Sequence, residues 1–285
     1  MSGKLFLVAT PIGNLEDITY RAIRVLSEVD IIAAEDTRHT KKLLNHFNIN
    51  TSLTSYHEHN KIEKGPYLIK KLQEGLTIAL VTDAGTPGIS DPGEDLVRLC
   101  RIDDIEVTSV PGAVALITGL ILSGLNTRRF VFEGFLPHDK KERNSILQKL
   151  KIEHRTIILY EAPHRLKQTL KQLLEALGNR NIAITRELTK KFEEVDTITL
   201  EEAVNKYGSE SPRGEFVLII EGKPLEDLRN EEIERWENIS IEDHYNKYIE
   251  EGLDKKNATK QVAKDRGTSK RDIYNYLVKL DDKNN

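Results

Sequence analysis

One loop organises this sequence, and it runs Asp83-Ala84-Gly85-Thr86-Pro87-Gly88-Ile89-Ser90-Asp91-Pro92-Gly93. It follows residues 77–82, whose β-branched side chains are typical of a buried strand, and it precedes a helical pattern at residues 96–99. Glycines let a backbone approach a ligand closely, and prolines stiffen its path. In open α/β sheets, ligands bind at the carboxyl ends of strands. The loop is therefore predicted to form part of a ligand site, although a tight turn with Ser90 or Asp91 as N-cap of the next helix also fits the pattern.

Length and composition describe a globular chain with more than one domain. At 285 residues the chain exceeds the size of a single hydrophobic core. The net charge of −4 argues against a general nucleic-acid coat, although local basic surfaces are compatible with it. Cys100 is the single cysteine, which excludes a disulfide framework and a cysteine-based metal cluster. No apolar run reaches the roughly 20 residues of a membrane-spanning helix, and Met1-Ser2-Gly3-Lys4 does not begin a signal peptide, so we expect a cytoplasmic protein.

Strands alternate with helices in the first part of the chain. Strands are predicted at residues 4–10, 30–35, 53–56, 77–82 and 106–110, with helices between them and a helix of small residues at 113–125. This alternation predicts βαβ units and a mainly parallel sheet. We expect this first α/β domain to cover residues 1–122.

A second alternating set follows the first. Strands are predicted at residues 130–134, 156–160, 182–186 and 215–220, and helices at 140–150 and 164–177. The predicted fold class is therefore α/β, with two α/β domains that contain mainly parallel or mixed sheets. The second domain is expected to cover residues 123–225.

Residues 226–285 differ from the rest in charge. Residues 226–243 carry eight acidic side chains and two basic ones, whereas residues 254–280 carry eight Lys or Arg and three Asp. Capping patterns at Ser240 and Ser269 and helix-ending glycines at 252 and 267 predict three short helices after an acidic linker. A tight turn before a basic last helix is typical of a helix-turn-helix. A small bundle that binds nothing would show the same pattern.

Unusual loops follow the strands at residues 10–14, 83–93 and 110–113. They contain neither the Gly-Lys-Ser/Thr ending of a Walker loop nor the three-glycine fingerprint of a dinucleotide site, which argues against ATP and NAD. Exposed backbone and the carboxylate of Asp83 suit a ligand with amino, carboxylate and ribose groups. S-adenosylmethionine has these groups, and carbonyls and a carboxylate would favour its sulfonium charge. The loops therefore predict this cofactor.

Several motifs of the sequence resemble those of a known family. They are Thr10-Pro11-Ile12-Gly13-Asn14-Leu15, Glu35-Asp36-Thr37-Arg38, Tyr56-His57-Glu58-His59-Asn60, Tyr160-Glu161-Ala162-Pro163-His164-Arg165 and Thr185-Arg186-Glu187-Leu188-Thr189-Lys190. With the central loop, they resemble the ribosomal RNA 2′-O-methyltransferases of the tetrapyrrole methylase superfamily over nearly the whole chain. The resemblance implies two α/β domains with S-adenosylmethionine in the cleft between them, and usually a homodimer. It also implies that the substrate is a cytidine ribose in 16S ribosomal RNA of the small ribosomal subunit.

The first loop bears on the choice of substrate within the superfamily. Members that methylate porphyrinoids open with a glycine-rich Val-Gly-x-Gly-Pro-Gly-Asp loop, whereas this chain has Val8-Ala9-Thr10-Pro11-Ile12-Gly13-Asn14. Those members also lack the helical tail. Both differences favour RNA over a tetrapyrrole. Two alternatives stay open, namely methylation of a precorrin-type tetrapyrrole precursor and a non-catalytic nucleic-acid-binding protein that keeps the α/β body as a scaffold.

The resemblance also assigns the cofactor contacts. They are Pro11, Asp83, Ala84, Gly85, Ile89, Ala113, Val114, Ala115, Tyr160 and Glu161. Asp83 is the side chain that best tests this assignment, because most of the others would contribute backbone or packing contacts.

Methylation of a ribose hydroxyl requires that the oxygen be positioned and that its proton be removed. His57, Glu133 and Glu187 are candidate catalytic bases, because each lies near a strand end that would face the cleft. A metal is not expected, since His57 and His59 would point to opposite sides of a strand.

Basic and polar side chains near the same strand ends, and on the last helix, are candidates for substrate contacts. They are Arg38, Asn60, Arg165, Arg186, Lys190, Lys270 and Arg271. Guanidinium groups bind phosphate in a two-pronged geometry. Surface ion pairs are the alternative role, as for Lys190 and Lys191 beside Glu193 and Glu194.

Overall fold

The computed structural model describes residues 3–209 and 212–284, without the side chains of residues 232, 237 and 280–284. The chain divides into two compact units. The α/β unit comprises residues up to 151 and residues 155–221, and the helical unit comprises residues 152–154 and those from 222 onward. The predicted boundary near residue 122 lies within the α/β unit and stays a prediction.

The first sheet and its helices occupy residues 4–122. Their elements are β1 (Lys4–Val8), a 3-10 turn (Leu15–Asp17), α1 (Tyr20–Glu28), β2 (Ile31–Ala34), α2 (Thr37–His46), β3 (Ser52–Ser55), α3 (Lys61–Gln73), β4 (Ile78–Val81), α4 (Gly93–Ile102), β5 (Glu106–Val110) and α5 (Ala115–Leu122). The five strands are parallel in the order β3-β2-β4-β1-β5. The middle strand β4 is buried along its whole length, as expected for a strand covered on both faces. Parallel strands place their carboxyl ends, and the loops that follow, at one edge of the sheet.

The second sheet and its helices occupy residues 130–220. Their elements are β6 (Phe130–Phe135), α6 (Lys140–Leu150), β7 (Thr156–Glu161), α7 (Leu166–Leu177), β8 (Asn181–Arg186), β9 (Glu194–Thr199), α8 (Leu200–Ser209) and β10 (Phe216–Ile220). The order is β6-β7-β10-β8-β9, in which β6 and β7 are parallel and the other pairs are antiparallel. With parallel and mixed sheets flanked by helices, the predicted α/β fold class is confirmed.

Strand β9 and helix α8 are two elements that the sequence analysis does not predict. Strand β9 carries two carboxylates, Glu194 and Asp196, which make it look like a solvated loop. In the structure, Lys206 of α8 lies 2.7 Å from the Asp196 carboxylate, and the Tyr207 hydroxyl donates a hydrogen bond to it at 2.6 Å. The charges of the strand are therefore compensated by the helix that follows it.

The helical unit contains α9 (Leu225–Glu237), α10 (Ile241–Glu250), α11 (Lys255–Asp265) and α12 (Lys270–Asn284). Most of the segment predicted as an acidic linker forms α9, and its role as a linker stays a prediction. Carboxylates in its first turn stabilise a helix N-terminus. The three helices after it match the prediction, and Gly252 and Gly267 end α10 and α11 with φ of +92° and +59°. Within the described residues, no helix combines the length and apolarity needed to cross a membrane.

Candidate active site

A cavity of about 420 Å³ lies where loops from both sheets of the α/β unit come together. Residues 12–115 provide one wall and residues 135–217 provide the other. The lining consists of Ile12, Glu35, Thr82, Asp83, Ala84, Gly85, Thr86, Ile89, Ser90, Asp91, Val114, Ala115, Phe135, Tyr160, Glu161, Ala162, Pro163, Leu188, Glu215, Phe216 and Val217. The central loop, residues 83–93, supplies seven of these residues and is therefore the main wall of the cavity.

The Asp91 carboxylate fixes the shape of the central loop. It accepts hydrogen bonds from the backbone N–H groups of Gly88, Ile89 and Gly93 at 2.8–3.0 Å. Gly88 and Ser90 have φ of +89° and +64°, a conformation that costs energy for a serine. The loop is thus held in one conformation by a side chain of its own.

The three predicted loops lie together in the structure. Thr10 and Gly85 exchange two backbone hydrogen bonds, of 2.9 and 3.1 Å, which join the first loop to the central loop. The Thr86 hydroxyl donates to the Ala113 carbonyl at 3.1 Å, which joins the central loop to the third. Gly112 must be glycine for this arrangement, because a Cβ there would lie 2.8 Å from the Cβ of Ala9.

Two carboxylates from neighbouring strand ends stand on the same wall. The Asp83 carboxylate accepts a hydrogen bond from the Asp36 N–H at 2.9 Å, and Glu35 accepts one from the Thr82 hydroxyl at 2.6 Å. Asp83 is exposed. Glu35 was not predicted as a site residue, although its position directly after β2, at the carboxyl end of a strand, indicates one.

The opposite wall is built around Tyr160 and Glu161 at the end of β7. The Tyr160 hydroxyl accepts a hydrogen bond from the N–H of Leu116 at 3.2 Å, and burial raises the pKa of Tyr160. Glu161 is buried and accepts hydrogen bonds from the Thr169 hydroxyl at 2.5 Å and the Ala162 N–H at 2.8 Å. The Tyr160 hydroxyl therefore ties the second sheet to helix α5 beneath the third loop.

Residues 187–190 bring Leu188 into the cavity through a strained turn. Glu187 and Thr189 have φ of +53° and +65°, which non-glycine residues rarely adopt. The turn is held from outside, because the Thr189 hydroxyl accepts the Asn14 N–H at 3.0 Å. A Cβ on Gly13 would lie only 2.4 Å from the Lys190 side chain, so the first loop and this turn pack closely.

The charge of the cavity is one-sided. Its lining includes the five carboxylates Glu35, Asp83, Asp91, Glu161 and Glu215, and within the described chain no Lys, Arg or His lines it. Carboxylates accept hydrogen bonds from ammonium and hydroxyl groups, and they stabilise a positive charge nearby. Apolar side chains such as Ile12, Leu188 and Phe216 supply surfaces for a flat ring. This combination of carboxylates and apolar surfaces fits the predicted S-adenosylmethionine, which has a sulfonium, an ammonium and ribose hydroxyls.

Eight of the ten predicted cofactor contacts line the cavity, namely Asp83, Ala84, Gly85, Ile89, Val114, Ala115, Tyr160 and Glu161. Pro11 lines a neighbouring cavity instead, and Ala113 stands behind the wall, where its carbonyl accepts from Thr86. Leu188, Glu215 and Phe216 line the cavity without having been predicted, since they reach it through the pairing of the second sheet.

The three candidate bases are not brought together. His57 and Glu133 line neither this cavity nor the neighbouring one. Glu187 is beside the cavity residue Leu188 and forms an ion pair with Lys190 at 2.9 Å. Burial raises the pKa of Glu187, but Lys190 and the N–H of Glu215 outweigh that effect, and the net pKa is below its ordinary value. All three catalytic roles stay predictions.

Most predicted substrate contacts already have protein partners. Arg38 pairs with Asp36 at 2.8 Å, Arg186 with Glu194 at 2.5 Å, and Arg165 donates to the Leu136 carbonyl at 2.5 Å. Asn60 accepts the His57 N–H at 2.8 Å. Lys270 and Arg271 are exposed at the start of α12 in the helical unit. Their binding roles stay predictions. In the part of the chain that the structure describes, no group of three His, Cys, Asp or Glu is placed to hold a metal ion.

The two sheets, the glycine- and proline-rich loops at the strand ends and the acidic cavity define a class of protein. Residues 4–204 match the tetrapyrrole (corrin/porphyrin) methylases. The chain belongs to this family of methyltransferases. The structure of uroporphyrin-III C-methyltransferase from Thermus thermophilus complexed with S-adenyl homocysteine superposes with a TM-score of 0.55 at 18% identity, over 76% of this chain and 97% of that one. At this identity the likeness shows the fold.

Relatives of higher identity narrow the comparison. The ribosomal RNA small subunit methyltransferase I of Halalkalibacterium halodurans is 56% identical over 273 residues, which cover 96% of this chain and 94% of that protein. The protein of the same name from Bacillus subtilis is 49% identical over 278 residues, covering 97% and 95%. The similarity to both extends through the helical unit.

Proposed function

We propose that this chain transfers a methyl group from S-adenosylmethionine to the 2′-oxygen of a cytidine ribose in 16S ribosomal RNA of the small ribosomal subunit. The observation that carries the proposal is the cavity with five carboxylates and no basic side chain among its described lining. Its charge and size suit a cationic donor that carries hydroxyl and ammonium groups. The names of the near-full-length relatives support an RNA substrate. Because small subunits are cytoplasmic, we place the reaction in the cytoplasm.

Asp83 and Glu35 are the residues that we expect to hold the hydroxyl and ammonium groups of the cofactor. Their carboxylates stand on one wall, while Tyr160 and Leu188 line the other. When bound, S-adenosylmethionine supplies a methyl group activated by its sulfonium. The glycines of the central loop let backbone carbonyls approach this charge.

Methylation replaces the O–H bond of the ribose with an O–C bond, so a proton must leave. A carboxylate that is already paired with a cation is a weak base. Glu187 is in this state, because Lys190 stabilises its charged form. We therefore propose that positioning of the hydroxyl supplies most of the rate, and that proton removal by His57, Glu133 or Glu187 is secondary.

The proposal is tested by mixing the protein with methyl-labelled cofactor and small subunits from cells that lack this activity. We expect label on the ribose of one cytidine, detected by nuclease digestion and mass spectrometry. Label on a base, or none on RNA, contradicts the proposal. Two further measurements test the alternatives. Label on a precorrin-type substrate instead of RNA would favour a tetrapyrrole methylase. Calorimetry without heat on addition of S-adenosylmethionine would favour a non-catalytic binder.

A homodimer is the second part of the proposal. Helix α5 is apolar except for Thr118, and its Ile117 and Ile121 side chains are 42% and 66% exposed. Large apolar surfaces of this kind mark interaction sites, and a second copy of the chain satisfies them symmetrically. Sedimentation should give the mass of a dimer for the wild type and of a monomer for Ile117→Glu/Ile121→Glu. A wild-type monomer at micromolar concentration contradicts this part.

A further inference from the structure

A second cavity, of about 490 Å³, adjoins the first. Ile12, Asp83, Ala84 and Glu215 line both, so the two cavities share one wall. The second cavity lies on the side of that wall where helix α2 runs, and α2 contributes His39, Lys42 and His46 to its lining. A ligand that filled both would pass over the carboxylate of Asp83.

The two cavities differ in their charged lining residues. In the described chain, the first has only carboxylates, whereas the second combines the carboxylates of Asp83 and Glu215 with Lys42 and Lys190, and it also has two histidines. Lys190 is compensated, because it pairs with Glu187 at 2.9 Å and Glu215 at 3.4 Å. Lys42 is exposed and forms no ion pair with any side chain that the structure describes. Lys42 is therefore the positive charge that the second cavity offers to an anion.

The sequence of α2 places three of its five Lys, Arg or His residues on one face. His39, Lys42 and His46 are spaced three and four residues apart, which puts them above one another along a helix. Thr40 and Leu44 are buried on another face of α2 and hold it against the sheet. Residues spaced in this way on a fixed helix can contact a continuous strand of negative charge.

The position of α2 is linked to the cofactor wall. Asp36 caps the helix, since its carboxylate accepts the Arg38 N–H at 2.8 Å. The N–H of the same Asp36 donates to the carboxylate of Asp83 at 2.9 Å. The basic face is therefore held at a fixed distance from the wall that the two cavities share.

We infer that the face of α2 formed by His39, Lys42 and His46 binds the phosphodiester backbone of a single RNA strand whose target ribose enters the first cavity. This inference rests on the proposed function and adds to it the path of the substrate. Lys42 neutralises phosphate charge, the imidazoles of His39 and His46 offer hydrogen bonds to phosphate oxygens, and Leu15 and Leu43 in the same cavity provide apolar surface for an unstacked base. The acidic lining for the donor and the α2 face for the strand then lie on the two sides of Asp83, which lines both cavities.

The test compares Lys42→Ala with Lys41→Ala in the full chain. Lys41 is also exposed on α2 but lines neither cavity, so it is a matched control for charge. Binding of a short single-stranded RNA oligonucleotide is followed by fluorescence anisotropy over a salt series. We expect Lys42→Ala to weaken binding by roughly three- to tenfold and to reduce the slope of log K against log salt by about one, whereas Lys41→Ala changes affinity by less than about twofold. Calorimetry with S-adenosylmethionine should give the same affinity for all three proteins.

Each result counts for or against the inference. Equal losses in both lysine variants, no loss in Lys42→Ala, or no RNA binding by the wild type overturns it. If cytidine monophosphate binds as tightly as the oligonucleotide and with the same dependence on Lys42, the cavity is a site for a free phosphate group and the strand is excluded. A Lys42-dependent affinity for RNA in a protein that transfers no methyl group supports the inference and rejects the proposed function, so the two failures are distinguishable.

Discussion

The backbone N–H of Asp36 donates a hydrogen bond to the Asp83 carboxylate at 2.9 Å. This bond joins the start of α2 to the central loop, and Asp83 lines both the acidic cavity and the neighbouring cavity to which α2 contributes. Asp83 thus has two tasks that a mutation can separate. Its oxygen holds α2, and its charge faces the proposed donor.

The substitution Asp83→Asn tests the charge while it keeps an acceptor oxygen for the Asp36 N–H. We expect the fold to persist and the affinity for S-adenosylmethionine to fall by about ten- to a hundredfold, the equivalent of losing a hydrogen bond to a charged group. Calorimetry measures the affinity and circular dichroism checks the fold. Asp103→Asn, at the exposed end of α4, is the control. Equal affinity in the Asp83 variant would remove this residue from the site.

The carboxylate of Asp91 is expected to be needed for the shape of the central loop. Asp91→Ala leaves the N–H groups of Gly88, Ile89 and Gly93 without their acceptor. We expect a loss of about 2 kcal/mol of unfolding free energy, measured in urea, together with weaker cofactor binding. Glu94→Ala, in the exposed first turn of α4, should leave the cofactor affinity unchanged and should lower the unfolding free energy by less than about 1 kcal/mol. Retained stability and affinity in Asp91→Ala would show that the glycines and prolines suffice to shape the loop.

Thr169 is expected to stabilise the buried carboxylate of Glu161. Thr169→Val keeps the shape of the side chain but removes the hydroxyl that donates to Glu161 at 2.5 Å. Because Glu161 is buried, we expect a loss of about 2–3 kcal/mol in unfolding free energy. Thr169→Ser retains the donor and should recover most of the loss. Equal unfolding midpoints for the valine and serine variants would mean that the bond contributes nothing.

The sequence was sufficient for the elements whose side chains are almost all apolar. Strand β4 is apolar and buried throughout, helix α5 is apolar except for Thr118, and both follow from local patterns. Strand β9 and helix α9 were not predicted. Glu194 and Asp196 interrupt the apolar pattern of β9, and charged residues occupy most positions of α9, so local patterns do not identify either element. In β9 the tertiary contact that compensates Asp196 is its pair with Lys206.

The residues of the candidate site also differ in whether the sequence alone predicts them. Asp83 and the loop around it were predictable, since their residue types are unusual and follow a recognisable strand. Leu188 and Phe216 were not predictable as lining residues, because they reach the cavity only through the antiparallel pairing of β10 with β7 and β8. Lys42 was also missed, since its contribution depends on how α2 is held beside Asp83.

His244 is expected to make the stability of the helical unit depend on pH. The imidazole is fully buried and stacks on Trp236 with ring centroids 3.6 Å apart. Burial lowers the pKa of His244, Arg266 and Lys247 lower it further, and Asp265 offsets part of the shift. In the unfolded chain the group titrates near its ordinary value of 6.5, so the unfolded state binds the proton first as pH falls. Stability that is present above pH 6.5 is therefore lost as pH decreases from there towards the lower pKa of the folded state.

The fluorescence of Trp236, the only tryptophan, reports this transition during urea unfolding at several pH values. The expected slope approaches about 1.4 kcal/mol per pH unit between the two pKa values. His244→Phe can keep the stacking on Trp236 while it removes the titrating group. Between pH 7.5 and 5.5 this variant should therefore lose less unfolding free energy than the wild type does, and the difference should correspond to the slope that His244 contributes. Parallel pH dependence in the wild type and the phenylalanine variant would assign the effect to other groups.

The start of α12 is expected to contribute to RNA binding independently of the cofactor. Lys270 and Arg271 are exposed in the first turn of this helix, in a segment with a charge of +5 between residues 254 and 280. Lys270→Ala/Arg271→Ala should weaken RNA association and reduce the slope of log K against log salt by about two, because two phosphate contacts are lost. The affinity for S-adenosylmethionine should not change. Lys255→Ala/Lys256→Ala removes the same charge from the exposed start of α11 and serves as the control. If the α12 variant binds RNA as well as the wild type does, the helix contributes to packing within the helical unit and not to the recognition of RNA.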